Sequence, residues 1–181
     1  GIPLKLGGAA MDRCTCAYPS PLGEITLACQ DDCLTGLWFE GQKYFASTLA
    51  PGSRTGSTPV LDEARAWLDC YFKGEDPGPL PSLALQGTAF QREVWALLLQ
   101  IPRGQVTTYG RLAKQIACKH GLSALPSRAV GSAVGRNPIS ILVPCHRVLG
   151  ADGALRGYAG GLDRKKALLS LEKADQTNFY F

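Results

Sequence analysis

The stretch GEDPGPLPS, residues 74–82, holds three prolines in nine residues. Each proline fixes φ and removes a backbone donor, so the stretch can neither continue a helix nor lie inside a sheet. It divides the chain into two parts with different hydrophobic periods. Before it the runs are short and alternate. CAYPSPLGEITLAC has a turn at Ser20-Pro21-Leu22-Gly23 between strand-like segments, with Ile25 and Leu27 on one face; CLTGLWFEG is a third strand ending near Gly41. PGSRTGSTP (51–59) is a loop by composition. Next, Leu61, Ala64, Leu68, Tyr71 and Phe72 recur at helical spacing, and Lys73-Gly74 stops that helix. A small antiparallel sheet covered by one helix accounts for this part.

Beyond the prolines the period becomes helical. Phe90, Val94, Trp95, Leu97, Leu98 and Ile101 make a broad apolar face, stopped by Pro102 and Gly104. TTYGRLAKQIACKHG has a threonine cap, a stripe at Leu112, Ala113 and Ile116, and Gly121 as a stop. PSRAVGSAVGRNP follows, with Ser127 as its expected cap and Asn137-Pro138 as its end. Two short helices joined by a tight loop read as helix-turn-helix. A last helix begins near Asp163. The expected fold is α+β. An N-terminal sheet-and-helix domain (12–80) precedes an all-helical helix-turn-helix domain (86–175). The first ten residues precede Met11, lack a signal-peptide pattern and read as an appended segment; the closing DQTNFYF invites the same reading.

No apolar run reaches the roughly 18 residues of a membrane span, so no membrane partner is expected. Seven cysteines, an odd number without a secretion signal, favour reduced thiols and a cytoplasmic setting over a disulfide framework. Cys14, Cys16, Cys29 and Cys33 are numerous enough for zinc. Their spacing is not a standard one, and cysteine in strands also serves as a small hydrophobe. Charge is uneven. Residues 1–85 carry six Lys/Arg and ten Asp/Glu, whereas residues 86–181 carry thirteen and five. A basic C-terminal half suits a polyanion; a merely solvated basic surface fits the count equally well.

Two features are harder to dismiss. The helix expected over RAVGSAVG has two glycines and almost no bulk, at about 1 kcal/mol each relative to alanine. It serves either tight packing inside the protein or close approach of an outside backbone. Second, ISILV, read as a buried strand, runs into Pro144-Cys145-His146-Arg147. A chance core cysteine, a metal-ligand pair and an activated nucleophile all fit this dipeptide. Activation needs a proton acceptor. Neighbouring side chains of a strand point to opposite faces, so Cys145 and His146 need a turn or a bridging water. Lys165, Leu168 and Glu172 share one helix face, and a buried Glu172 can orient His146.

SRAVGSAVGRNP and VPCHRV, followed by GYAGGLDRKKALLSLE, closely resemble the O6-alkylguanine-DNA alkyltransferases, and the bacterial Ogt type among them. SPLG and LDCYF fit as well, and the likeness runs from about Cys16 to Glu172. The resemblance implies direct-reversal DNA repair. The alkyl group of O6-alkylguanine, and of O4-alkylthymine, would pass irreversibly to Cys145 in a single turnover with no cofactor and no metal. It implies that His146, through water and held by Glu172, takes the thiol proton, and that Tyr109 donates toward the leaving guanine. Arg128 would enter the stack vacated by a flipped nucleotide, and Asn137 would brace the cysteine loop. Ala129, Gly131 and Ser132 would lie along the DNA, while Val148, Tyr158, Ala159 and Lys165 would surround the base. Ala159 stands where some members carry serine. The implied partner is double-stranded DNA, bound by a monomer. A damage-sensing DNA binder without chemistry and a small-molecule cysteine hydrolase are the competing readings. The first has no need of Cys145, the second none of Arg128 or the basic half.

Overall fold

The computed structural model describes residues 12–181. The segment read as appended, 1–10, lies outside the described residues. Strands β1 (Arg13–Ser20), β2 (Gly23–Gln30) and β3 (Cys33–Phe39) form an antiparallel meander, and β4 (Arg54–Thr55) pairs parallel with β1 inside the stretch expected to be loop. The sheet order is β3-β2-β1-β4. The first turn is built by Ser20, whose Oγ donates to the Gly23 carbonyl at 2.6 Å and accepts from the Leu22 N–H at 3.1 Å. Gly23 has φ +118°, open only to glycine without strain.

Alternation along the strands decides what is inside. Cys14, Cys16, Tyr18, Ile25, Leu27 and Cys29 are buried in one cluster with Leu61, Ala64 and Leu68 of α1 (Pro59–Phe72). Cys14 and Cys29 face each other across β1 and β2, serving as small core residues. Among the described residues no group of three or more His, Cys, Asp or Glu is placed to hold a metal ion. Helix α1 is capped at both ends. The Thr58 hydroxyl accepts from the Leu61 N–H at 3.3 Å, and Gly74, at φ +79°, donates to the Tyr71 carbonyl at 2.9 Å.

The outer edge of β3 joins the two parts. Leu34 donates to Ser82 and accepts from Ala84, so the proline-rich stretch leads into a docked segment. Further along, Leu37 donates to the Pro138 carbonyl at 2.9 Å and accepts from the Ser140 N–H at 3.1 Å. A sheet edge left bare would invite foreign strands; here it anchors the loop that carries Cys145. The apolar core is accordingly continuous, running from Cys14 through Trp95 to Leu168.

The second part contains α2 (Ala89–Leu98), α3 (Tyr109–Lys119), α4 (Ser127–Gly135) and α5 (Leu162–Leu171). Helices α3 and α4 are the expected pair, and the Trp95 indole N–H of α2 donates to the Ala133 carbonyl at 2.8 Å. Thr108 caps α3 through the Arg111 N–H. Ser127 does not cap α4: the cap position is Pro126, and Ser127 is already the first helical residue. A two-stranded parallel pair, β5 (Thr107–Thr108) and β6 (Val148–Leu149), interrupts the helical run of this part. Two-residue strands carry no periodicity by which sequence could reveal them. The closing residues are docked too, through Val106 N–H to Asn178 and Tyr180 N–H to Val106.

The run Ile139–Val143 is not a strand. Ile139 makes a single bridge to Leu37, and the chain then turns tightly twice. Leu142 N–H reaches the Ser140 carbonyl at 2.8 Å around Ile141, whose φ is +70°; Cys145 N–H reaches Val143 at 2.8 Å around Pro144, at φ −79° and ψ 63°. These are three-residue γ-turns, the first of the strained kind. A β-branched residue at positive φ is costly. It persists here because Ile141 is buried and both flanks are tied to β3 and to Asn137. Burial made the run apolar, and apolar runs alone do not distinguish strand from buried turn.

Candidate active site

The two turns deliver Cys145, His146 and Arg147 as one 3₁₀ turn, so the neighbouring thiol and imidazole need not lie on opposite faces. Asn137, just past α4, organises the approach. Its amide donates to the Val143 carbonyl at 2.8 Å and to Cys145 Sγ at 3.2 Å, and its oxygen accepts from the Ile139 N–H at 2.9 Å. Cys145 is 5% exposed. Burial pushes its thiol up, while the Asn137 hydrogen bond and the Lys165 charge pull it down. The resting sulfur is therefore protonated and needs a base to become a nucleophile.

His146 is completely buried, and its Nε2 lies 2.6 Å from Glu172 Oε2. Glu172 caps the C-terminal end of α5 and also accepts from Arg147, Nε at 2.8 Å and Nη2 at 3.0 Å, and from the Tyr71 hydroxyl at 2.5 Å. Burial alone would raise the Glu172 carboxyl. His146 and Arg147 outweigh it and hold the group well below the carboxylate range. Burial likewise keeps the His146 ring below its ordinary value, against the pull of Glu172 and with Arg147 assisting. The carboxylate is thus charged and the imidazole neutral at neutral pH. Since Glu172 can only accept, the proton sits on Nε2, and Nδ1 carries the free lone pair. Nδ1 has no hydrogen-bond partner among the described residues.

Both shifts act on stability with one sign. The native state binds fewer protons than the unfolded chain, so stability present near neutrality is lost on acidification, first below 6.5, the ordinary histidine value, then below 4.5. Thermal melting followed from about pH 7 to about pH 5 should show a falling midpoint, and His146→Asn should flatten the first part of the fall.

Lys165, fully buried, spends its ammonium protons on three carbonyls: Val148 at 2.5 Å, Arg156 at 2.7 Å and Gly157 at 3.0 Å. Burial brings its pKa down to about 8, with Cys145 pulling the other way. Lys165 thereby ties β6 to the loop 156–161. Tyr109, at the start of α3, donates to the Arg156 carbonyl at 2.9 Å, and burial with the nearby Cys145 pushes its hydroxyl up to about 12.

A cavity of about 550 Å³ opens over Cys145, between α4 and the 157–161 loop. Tyr109, Gly131, Ser132, Tyr158 and Ala159 line it, Gly131 and Ser132 having been expected along the DNA instead; Lys43 and Tyr44, from the N-terminal part, line it too and were not anticipated. Tyr158 also meets the His146 ring edge-on at 6.5 Å. Val148 lies beneath, fully buried with its carbonyl on Lys165, and Asn137 lies behind the sulfur. Arg128 and Ala129 are exposed at the start of α4, and Arg128 borders a second, shallower depression that shares Tyr109, Gly131, Ser132 and Gly157 with the first. The glycines of α4 answer the packing question. A Cβ at Gly135 would meet nothing within 4 Å, and one at Gly131 only the Tyr109 ring at ordinary contact distance. Internal packing does not require them, and the small-residue face is turned outward.

Family models match both parts of the chain: "6-O-methylguanine DNA methyltransferase, ribonuclease-like domain" over residues 15–80, and "6-O-methylguanine DNA methyltransferase, DNA binding domain" over residues 89–174. The chain belongs to the 6-O-methylguanine DNA methyltransferase family. Methylated-DNA–protein-cysteine methyltransferase of Mycobacterium bovis is 45% identical over 159 residues, covering 86% of this chain and 89% of that one. The protein of the same name from Methanosarcina acetivorans is 44% identical over 156 residues, covering 86% and 95%. The crystal structure of Mycobacterium tuberculosis OGT in complex with DNA superposes with a TM-score of 0.77 at 40% identity, covering 91% of this chain and 97% of that one. Membership makes this chain a direct-reversal DNA-repair methyltransferase. Among the described residues no helix is long and apolar enough to cross a membrane.

Two residues that touch Glu172 escaped sequence reasoning. Arg147 had a signal, a guanidinium within an otherwise buried run. Tyr71 had none, since it falls on the apolar stripe of α1 and reads as core.

Proposed function

We propose that Cys145 accepts the alkyl group from O6 of a guanine swung out of double-stranded DNA, once per protein molecule. His146 Nδ1 takes the thiol proton through a bridging water, and Glu172, held in place by Arg147, stabilises the imidazolium that forms. The sulfur attacks the alkyl carbon, the carbon–oxygen bond breaks, and its electron pair goes to O6 as Tyr109 gives its proton toward the guanine. To do so Tyr109 must release the Arg156 carbonyl it now holds. The product is a thioether. It has no carbonyl for water to attack, so the protein is consumed. The observation that carries this reading is a thiol lining an open cavity, followed in sequence by a buried histidine whose Nδ1 has no hydrogen-bond partner among the described residues.

The DNA side has its own support. O6 of a paired guanine is inside the duplex, so the base must leave the stack, at a cost of a few kcal/mol. Arg128, Arg111, Lys114 and Arg136 are exposed on or beside the helix pair, and α4 presents Ala129, Gly131 and Ser132 without bulk. A backbone-close, sequence-indifferent approach suits a minor groove, whose readout is degenerate. Arg128 fills the space the base leaves.

Methyl transfer from duplex O6-methylguanine should plateau at one equivalent per protein, however large the excess of DNA. Continued turnover would support a hydrolase-like cycle, and binding without transfer would support a sensor. Arg128→Ala should slow duplex repair by about 10²-fold, the scale on which unassisted base extrusion costs a few kcal/mol. Transfer from a free O6-alkylguanine base should be nearly unchanged in that variant, and an equal loss on both substrates would refute the extrusion role.

A further inference from the structure

We propose that Tyr71 is a positioning residue for the transfer chemistry: its hydroxyl, brought from α1 in the N-terminal part, sets how strongly Glu172 holds His146. The proposal rests on the reading of His146 as base and Cys145 as acceptor. Tyr71 and Glu172 are 101 positions apart in sequence, yet the hydroxyl lies 2.5 Å from Oε2. That oxygen is the one that holds His146 at 2.6 Å, and it also accepts from Arg147 Nη2 at 3.0 Å; among the described residues Oε1 accepts from Arg147 Nε alone.

A buried tyrosine needs some acceptor, and a purely structural residue would be content with any. Two things set this contact apart. The ring is fixed before the hydroxyl is considered: it stacks on Trp67 at 5.3 Å, meets Phe72 edge-on at 5.3 Å, and lies under the Arg103 guanidinium at 5.4 Å. And the oxygen chosen is the one through which Glu172 acts on the imidazole. Every donor on Oε2 draws charge away from its bond to His146. The hydroxyl remains a donor throughout the working range, because burial and the Glu172 charge push its pKa far above the ordinary tyrosine value.

The other groups facing this cluster are Arg147 from the 3₁₀ turn, Lys165 from α5, Cys145, Tyr158 from the 157–161 loop, and Arg103 outside the Tyr71 ring. Tyr71→Phe leaves all of them in place. It concentrates negative charge on Glu172, favours the imidazolium and makes His146 titrate at higher pH. Since the base must be neutral to act, the acid limb of the transfer reaction moves up. The N-terminal part then does more than support the fold: its docking sets the working pH of the site.

The test is single-turnover methyl transfer from duplex O6-methylguanine, followed across pH with the full chain. Tyr71→Phe should move the acid limb upward by about one pH unit, the scale of one hydrogen bond to a charged group. Replacement of Tyr71 by a ring-fluorinated tyrosine, the same in shape but a stronger donor, should move it downward. This second variant keeps the test open if the phenylalanine variant folds poorly. Opposite displacements support the proposal, because packing alone cannot produce them. Profiles superimposing on that of the parent, whatever the loss of melting temperature, overturn it. A parent protein that gains no methyl at Cys145 overturns the underlying reading and this proposal with it; a parent methylated there with unmoved profiles in both variants overturns only the role of Tyr71.

Discussion

Cys145→Ala is expected to give no methyl transfer above background while binding lesion-bearing duplex as the parent does. The sulfur is the only atom removed from the cavity floor, and Asn137 keeps its bond to the Val143 carbonyl and so holds the loop. Arg128, the exposed face of α4 and the basic residues around it are untouched. Single-turnover transfer and a gel-shift titration at fixed salt separate the two properties; salt must be held constant because phosphate contacts make affinity steeply salt-dependent. Parallel loss of binding and transfer would mean that Cys145 supports the fold and is not the acceptor.

Glu172→Gln should be the most damaging single change away from the sulfur. Glu172 gathers His146, Arg147 and Tyr71, all donors, onto two oxygens. An amide replaces one of those oxygens with a further donor and leaves Arg147 without its counter-charge. Removing one partner of a buried ion pair costs about 3–5 kcal/mol. The imidazolium formed during transfer also loses its stabilising carboxylate, and general-base assistance is worth about 10²–10⁴-fold in rate. Urea unfolding should show the first effect and single-turnover transfer, measured on the folded fraction, the second. A variant as stable as the parent, or one transferring at the parental rate, would remove Glu172 from its assigned place.

Much of this was legible in the sequence, because two kinds of signal were strong. Period two along β1 and β2 and period 3.6 along α1, α2 and α3 follow from which face is buried. Thr108, Gly74 and Gly23 marked ends for stated stereochemical reasons. The helix face linking Lys165, Leu168 and Glu172 foretold a buried carboxylate reaching back toward His146, and the structure brings the two together. What stayed hidden depends on contacts between distant segments. Ile139–Val143 is apolar because it wedges against β3, not because it is a strand. Ser127 lost its capping place because Pro126, one residue earlier, already supplies the non-helical step. Tyr71 looks like any other residue of an apolar stripe until the end of α5 brings Glu172 to its hydroxyl. Lys43 and Tyr44 sit in a turn whose reach to the cavity no local pattern announces.

The most direct measurement is peptide mass analysis of the protein after reaction with duplex DNA containing a single O6-methylguanine. The account predicts that one peptide, the one bearing Cys145, gains the mass of one CH₂, while peptides bearing the other six cysteines stay unchanged. A methyl found on another cysteine, or a Cys145 peptide of unaltered mass alongside repaired DNA, would contradict it.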